Sequence, residues 1–227
     1  MIPLSVFIGY DTRQPIAGSV LAHSISARST GPVAITRLQL SQLPLTRRGL
    51  TEFTYSRFLV PHLCEYQGIS IFFDSDMLCL GDITELLVYP LAYPTVPVFV
   101  SKNVRRFEWP SMMVFNNAHC QTLTPEFVQD ARHPLFDLTW ASEVGEFPGE
   151  WNHLVGYDTP HPTAKGIHFT QGIPCWPETK DCEFSAEWHR ELQATNSTVS
   201  FNALMGPSVH AQHVQARLAA KAALTAA

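Results

Sequence analysis

The sequence predicts an α/β fold, a single domain in which a mostly parallel central sheet is flanked by helices. Three observations predict it. The chain opens in the order strand, helix, strand, which a parallel sheet with crossover helices requires. Its apolar runs are short and bounded by turn residues. Its 227 residues, 45% apolar and only 15% charged, supply one sizeable core and leave no case for disorder.

The elements follow in order. Leu4 to Gly9 reads as a buried strand closed by a glycine turn, and Gln14 to Ala27 as a helix with Pro15 in its first turn, where proline is tolerated. Val33 to Leu40 is a second strand, and Thr51 to Tyr66 a second helix distorted at Pro61. Ile69 to Asp76 is a strand that ends in two acidic residues. Gly81 and Asp82 introduce a short helix through Val88. Val96 to Ser101 and Met112 to Phe115 are further strands, and Pro125 to Arg132 is a helix. His133 to Pro162, rich in Pro, Gly and Trp, reads mainly as loop. Ile167 to Thr170 is a short strand and Ser185 to Ala194 a helix. The expected domain covers residues 1–205. Residues 206–227 form an Ala-rich, helix-prone C-terminal segment expected to dock or fray.

Composition excludes several classes. Fifteen Lys and Arg against twenty Asp and Glu give a formal charge of −5, so no general nucleic-acid surface is expected. No apolar run approaches ~18 residues, so no integral membrane segment is expected. The start, MIPLSVFIGYD, lacks the basic, long-apolar pattern of a leader. Five scattered cysteines without a CxxC pair read as reduced thiols of a cytoplasmic protein, and as a poor zinc set.

The strongest chemical signal is Phe72-Phe73-Asp74-Ser75-Asp76. Side chains two apart on an extended segment point the same way, so Asp74 and Asp76 would present two carboxylates together at the C-terminal end of a strand, where open parallel sheets bind ligands. Two such anions repel unless a cation or a proton lies between them, and oxygen donors with open positions suit Mg²⁺ or Mn²⁺. Arg57 lies upstream beside the expected sheet edge. His168, downstream, would complete the metal shell through an imidazole nitrogen and favour Mn²⁺. Trp109, Trp140, Trp151 and Trp176 fall in loops or at element ends. Trp151 fits either a carbohydrate platform or the core, and the others read as core.

With these residues in place the sequence resembles a retaining nucleotide-sugar glycosyltransferase of the GT-A fold, similar to glycosyltransferase family 8 and its short bacterial and phage relatives. The resemblance rests on VFIGYDTRQ (6–14), YSRFLVPHL (55–63), IFFDSDMLCLGDITEL (71–86), SMMVFN (111–116), PGEWNHLVGYD (148–158) and IHFTQGIPCW (167–176), a set spread over most of the chain. It implies that Phe7, Ile8, Gly9, Tyr10, Asp11 and Arg13 hold the nucleotide, with Tyr10 and Asp11 nearest the uracil and Ser75 at the ribose. It implies Asp74, Asp76 and His168 as ligands of Mn²⁺, with Mg²⁺ the alternative, and Arg57 near the donor sugar and diphosphate. The loop with Glu150, Trp151 and Asn152 would lie near the sugar and the acceptor. The implied partners are a UDP-sugar donor and a carbohydrate or other hydroxyl acceptor. The sequence also departs from the family. No lysine follows the HFT block, leaving Lys165 or Lys180 as replacements, and Trp109-Pro110-Ser111 stands where the family has Asn-Ala-Gly. Two other readings stay open: a non-catalytic nucleotide- or glycan-binding module of the same fold, and a phosphatase of haloacid-dehalogenase-like type. The phosphatase motif normally sits near the N-terminus and runs on into a small residue, whereas here Met77 and Leu78 follow.

Overall fold

The opening apolar run forms β1 (Leu4–Gly9). Helix α1 (Pro15–Arg28) follows, with its proline in the first turn, and then β2 (Val33–Leu38), which lies parallel to β1. These and the elements below come from a computed structural model, which describes residues 2–195 and, near the C-terminus, residues 216, 217, 219 and 223. The chain divides into two units, Met1–Thr195 and Asn196–Ala227. The four described positions of the second unit are helical. The rest of the Ala-rich segment, and the expected boundary at residue 205, lie outside the described residues.

The expected helix over 51–66 is only a 3-10 turn, Ser56–Leu59, that runs into the single-turn α2 (Val60–Leu63). Its first residues are diverted because the Thr54 hydroxyl accepts from the Thr51 amide (3.0 Å) and donates to the Thr51 carbonyl (2.9 Å), a local alternative to the helical ladder. Its end is closed by Glu65 and Tyr66 in left-handed conformation, with φ of 52° and 57°.

Strand β3 (Ile69–Phe73) is parallel to β1, and β4 (Met77–Cys79) leaves the sheet after a turn. A 3-10 segment capped by Asp82 leads into α3 (Val88–Ala92). Next come β5 (Val98–Val100), β6 (Met112–Asn116) and α4 (Pro125–Gln129). Helix α4 stops short of Arg132 because the Asp130 carboxylate accepts from the Arg132 amide at 2.9 Å, an Asx turn in place of another helical bond. The segment 133–162, expected to be loop, contains two short strands, β7 (Val144–Glu146) and β8 (His153–Leu154). Strand β9 (Gly166–His168) and α5 (Ser185–Thr195) complete the unit.

The main sheet runs β2-β1-β3-β6-β5-β7 and is parallel at β2/β1, β1/β3 and β5/β7. Strand alternation sorts its side chains into two cores. Val6, Ile8, Ile71 and Phe73 pack with Leu21 and Ile25 of α1, whereas Phe7 and Phe72 pack on the other face with Phe58. A second sheet, β4-β9-β8, is antiparallel at β4/β9 and stands over a third core built on Trp188, Val20 and Ile167. Among the described residues no helix is long and apolar enough to cross a membrane. All five cysteines are free, and burial pushes the thiols of Cys79 and Cys120 up to about 12.

Candidate active site and metal centre

The acidic pair sits one step beyond the position the sequence suggested. Strand β3 ends at Phe73, and Asp74, Ser75 and Asp76 form the turn between β3 and β4. The turn is held at its start by the Asp74 amide donating to the Ser111 carbonyl (2.8 Å). Past it, β4 pairs with β9 in a register that sets Met77 opposite His168, and the Phe169 amide donates to the Asp76 carbonyl at 3.0 Å. That short antiparallel pairing brings a histidine 92 positions downstream of Asp76 to the acidic turn. One donor atom each from Asp74, Asp76 and His168 lies within 4.8 Å of the others, and His168 Nε2 is 3.5 Å from Asp76 Oδ1.

Each side chain is oriented by a neighbour. His168 is buried, and its Nδ1 lies 3.1 Å from Asn152 Oδ1. Asn152 Nδ2 donates to the Glu108 carbonyl at 3.0 Å, which turns the amide oxygen toward the ring. In the neutral ring the proton therefore sits on Nδ1, which leaves Nε2 free to give its lone pair to a cation on the acidic side. Arg57 is buried as well. Nη2 lies 3.0 Å from Asp74 Oδ1, Nη1 donates to the Pro110 carbonyl at 3.0 Å, and the guanidinium stands over the rings of Phe53, Phe72 and Phe136. At β9, a Cβ on Gly166 would lie 2.0 Å from the Trp151 carbonyl oxygen, so only glycine lets the Glu150–Asn152 loop pack this close behind His168.

The electrostatics call for a cation. Burial pushes Asp74 up to about 7, with the charges of Asp76 and Glu108 adding to it and those of Arg57 and His168 opposing it. Burial pulls His168 down, but the charge of Asp76 and its hydrogen bond, with Asp74 and Glu108, leave it raised above the usual imidazole value. Oδ1 of Asp74 and Oδ1 of Asp76 are buried, the first 3.0 Å from Arg57 Nη2 and the second 3.5 Å from His168 Nε2. Two carboxylates and an imidazole nitrogen whose ligand atoms converge within 4.8 Å fit a divalent ion of the Mn²⁺ or Mg²⁺ type.

Two cavities meet at this turn and share Asp76, Thr170, Phe53 and Thr51. The larger, about 550 Å³, has Asp11, Arg13, Ser75, Gln171 and Trp176 on its walls. Asp11 accepts from the Arg13 side chain (2.6 and 2.8 Å) and amide (2.9 Å), and these bonds hold its carboxyl below the usual range. The smaller, about 330 Å³, is lined by Arg57, Asp74, His168 and Glu108, with Phe107 and Phe136.

Of the residues singled out from the sequence, Asp11, Arg13, Ser75, Arg57, Asp74, Asp76 and His168 come together around these cavities. Phe7 and Ile8 lie in the opposite cores of the sheet, and Gly9 packs against the Phe53 ring. Tyr10 is half-buried with Arg37 over its ring. Asn152 stands behind His168, and Trp151 is core. Glu150 does not line either cavity and pairs with Lys165 at 3.2 Å. Lys165, which also pairs with Glu85, does not reach the cavities, and Lys180 lies beside Asp181. Trp176, expected in the core, is 46% exposed on the wall of the larger cavity, its ring close against Gly172, where a Cβ would lie 3.2 Å from Cδ1. Sequence reasoning missed Thr170 and Gln171, although both lie inside the HFTQG block. It also missed Phe107, Glu108, Phe136 and the Leu50–Phe53 loop, which carry no motif.

No protein-family model matches the chain. Protein CDI of Arabidopsis thaliana is 34% identical over 229 residues, covering 86% of this chain and 88% of that protein. Among solved structures, the bifunctional glycosyltransferase WbbM aligns at 17% identity with a TM-score of 0.61, over 86% of this chain and 50% of its own. The glycosyltransferase GlyE of Streptococcus pneumoniae aligns at 14% and 0.59, over 85% and 60%. The galactosyltransferase LgtC, solved with donor and acceptor sugar analogs, aligns at 15% and 0.57, over 88% and 98%. The chain thus spans only half to three-fifths of WbbM and GlyE but nearly all of LgtC. At these identities the likeness is one of fold, and the fold is that of the GT-A glycosyltransferases.

Proposed function

The chain belongs to the family of Arabidopsis thaliana Protein CDI, and from the geometry of its cleft we propose that it is a metal-dependent glycosyltransferase, with the retaining mode, the UDP-sugar donor and the hydroxyl acceptor taken from the resemblance of its motifs to glycosyltransferase family 8. The observation that carries this reading is the meeting of two cavities at Asp76, with one wall suited to a nucleotide and the other to a ring, and a cation site between them.

In this reading the nucleoside lies in the larger cavity, where the Asp11 carboxylate accepts from the base and Ser75 meets the ribose. Asp74, Asp76 and His168 would hold Mn²⁺, with Mg²⁺ the alternative, and the bound ion supplies Lewis-acid neutralisation of the leaving diphosphate. The chain's own residues do the rest. Arg57 is locked by the Pro110 carbonyl and by Asp74, so it presents a fixed positive charge where the sugar–phosphate bond breaks, and it needs no reorganisation as charge develops. Asn152 holds the His168 ring in the ligand-competent tautomer. Thr170 Oγ1, buried on the wall shared by both cavities and without a partner among the described residues, is available to a phosphate or sugar oxygen. Phe53, Phe107 and Phe136 give the sugar side an apolar wall. Glu150 acts through Lys165 and the packing of its loop. Five free thiols support a cytoplasmic setting.

The test is UDP release from a panel of UDP-sugars with Mn²⁺, followed in parallel by the melting temperature. Turnover that disappears in Asp76→Asn, with a donor-dependent rise in melting temperature, supports the enzyme. Tight donor binding with no release would support a non-catalytic module of the same fold. Neither binding nor release with any nucleotide-sugar would refute both.

A further inference from the structure

The smaller cavity carries features that neither a metal nor a diphosphate requires. Phe107 and Phe136 stack with centroids 4.9 Å apart and planes within 4°, yet Phe107 is 63% exposed, so an apolar face stands open at the cavity wall. Beside it on the same 3-10 segment is Glu108. Ser111 Oγ donates to Glu108 Oε2 at 3.1 Å, and the Glu108 carbonyl accepts from Asn152, so both side chain and backbone are anchored. Oε1 of Glu108 has no donor among the described residues. A stacked aromatic pair with one open face and an anchored carboxylate suit a pyranose or furanose ring, which offers an apolar C–H face and hydroxyl donors at its edge.

Charge narrows the class further. Glu108 shares this cavity with Asp74 and Asp76, and the permanent cation on its wall, Arg57, is already paired with Asp74. A ring bearing its own carboxylate would meet Glu108 across a partly desolvated gap, while Arg57 and a cation held by Asp74, Asp76 and His168 are engaged by those acids and by the donor diphosphate. A hydroxyl there gains a charge-assisted hydrogen bond instead.

We propose that Glu108, with the Phe107–Phe136 pair, forms the sugar-reading subsite of the cleft, and that it selects a neutral sugar and rejects uronic acids. This rests on the glycosyltransferase reading above.

The experiment compares wild type, Glu108→Gln and Phe107→Ala, all with Mn²⁺. It measures UDP affinity by calorimetry and kcat/KM for UDP release from UDP-glucose, UDP-galactose, UDP-glucuronate and UDP-galacturonate. Wild type should favour the better neutral donor by at least about 100-fold over either uronate. Glu108→Gln, close in shape and still able to accept from Ser111, should keep UDP affinity within about twofold, lose about tenfold on the neutral donor and close the gap to the uronates by about tenfold. Phe107→Ala, at an exposed position, should raise KM for the neutral donor by about fivefold and leave UDP affinity unchanged. If wild type prefers a uronate, or if both variants leave every donor's kcat/KM as in wild type, the subsite assignment is wrong while the enzyme reading stands. If wild type neither binds UDP nor consumes any donor, the enzyme reading fails and the subsite with it.

Discussion

Replacing Asn152 with leucine should weaken Mn²⁺ binding by about one to two orders of magnitude, although Asn152 is not itself a metal ligand. The size follows from the geometry. A ring that gives its Nε2 lone pair to a metal carries its proton on Nδ1, where Asn152 Oδ1 accepts it at 3.1 Å. Both side chains are buried, so no water replaces the lost acceptor. With leucine present, the Nδ1 proton must either face hydrocarbon, which costs about 1–3 kcal/mol, or move to Nε2, where it occupies the ligand position. Either route takes about 1–3 kcal/mol from metal binding, or roughly 5- to 150-fold in Kd. The free Mn²⁺ signal in electron paramagnetic resonance titrations reads the affinity directly, without turnover. Asn152→Asp is the informative companion, because it keeps an acceptor for Nδ1 and should retain tight binding at alkaline pH. If His168→Gln loses affinity but Asn152→Leu stays within twofold of wild type, the orientation argument is wrong. If both stay within twofold, His168 is not a ligand.

Three further outcomes are expected. Asp74 is pushed up to about 7 from the ordinary 3.8, so its contribution to metal-free stability is present below the ordinary value and is lost as pH rises through about 7. Urea unfolding without metal should give lower stability at pH 8 than at pH 5.5, by on the order of 2 kcal/mol, and Asp74→Asn should reduce that dependence, leaving the part of the same sign that the raised His168 contributes. Asp11 and Glu191, held below the usual carboxylate range by hydrogen bonds from Arg13 and from Arg28 and His23, lose their contributions only at more acid pH and do not confuse this window. Gly166→Ala places a methyl against the Trp151 carbonyl and should destabilise the fold by about 2 kcal/mol, with weaker Mn²⁺ binding, read by melting temperature and the same titration. Asp11→Asn should lower UDP affinity by about tenfold at unchanged Mn²⁺ affinity. Equal UDP affinity would remove Asp11 from the nucleotide wall.

Much of this was legible in the sequence, for reasons that differ between regions. Strand β1 was readable because burial on both sheet faces makes its apolar run continuous, and Gly9 and Pro15 punctuate the passage from β1 into α1. The acidic pair was readable because DSD closes an apolar strand. Its exact seat was not, because whether a strand ends before or after an aspartate depends on what the backbone pairs with, here the Ser111 carbonyl. The helix over 51–66 failed because the Thr54 hydroxyl competes locally with helical bonds, a choice that helical spacing does not reveal. Strands β7 and β8, two or three residues long, exist only through their partners β5 and β9 and leave no period to detect. The same holds for Glu108, Phe107 and Phe136. They reach one cavity from segments that show no shared pattern in the chain, so only the folded structure joins them.

Taken together, these features place the cost of the site and its use in the same residues. Strand β4 could have extended β3 in the main sheet. Instead the chain turns at Asp74–Asp76 so that β4 pairs with β9, and a one-residue slip in that pairing would carry His168 to the opposite face. The contact of Gly166 with the Trp151 carbonyl and the bond from Asn152 to His168 both act against such a slip. The turn held in this way buries Asp74 beside a second carboxylate and raises it, a state in which the paired charges are unfavourable by themselves. A divalent cation relieves that cost, by neutralising the two carboxylates and replacing the proton that the field otherwise retains. The folded protein therefore meets its metal with a site already built and under electrostatic tension, so binding energy goes into relieving that tension and little is spent on ordering the ligands.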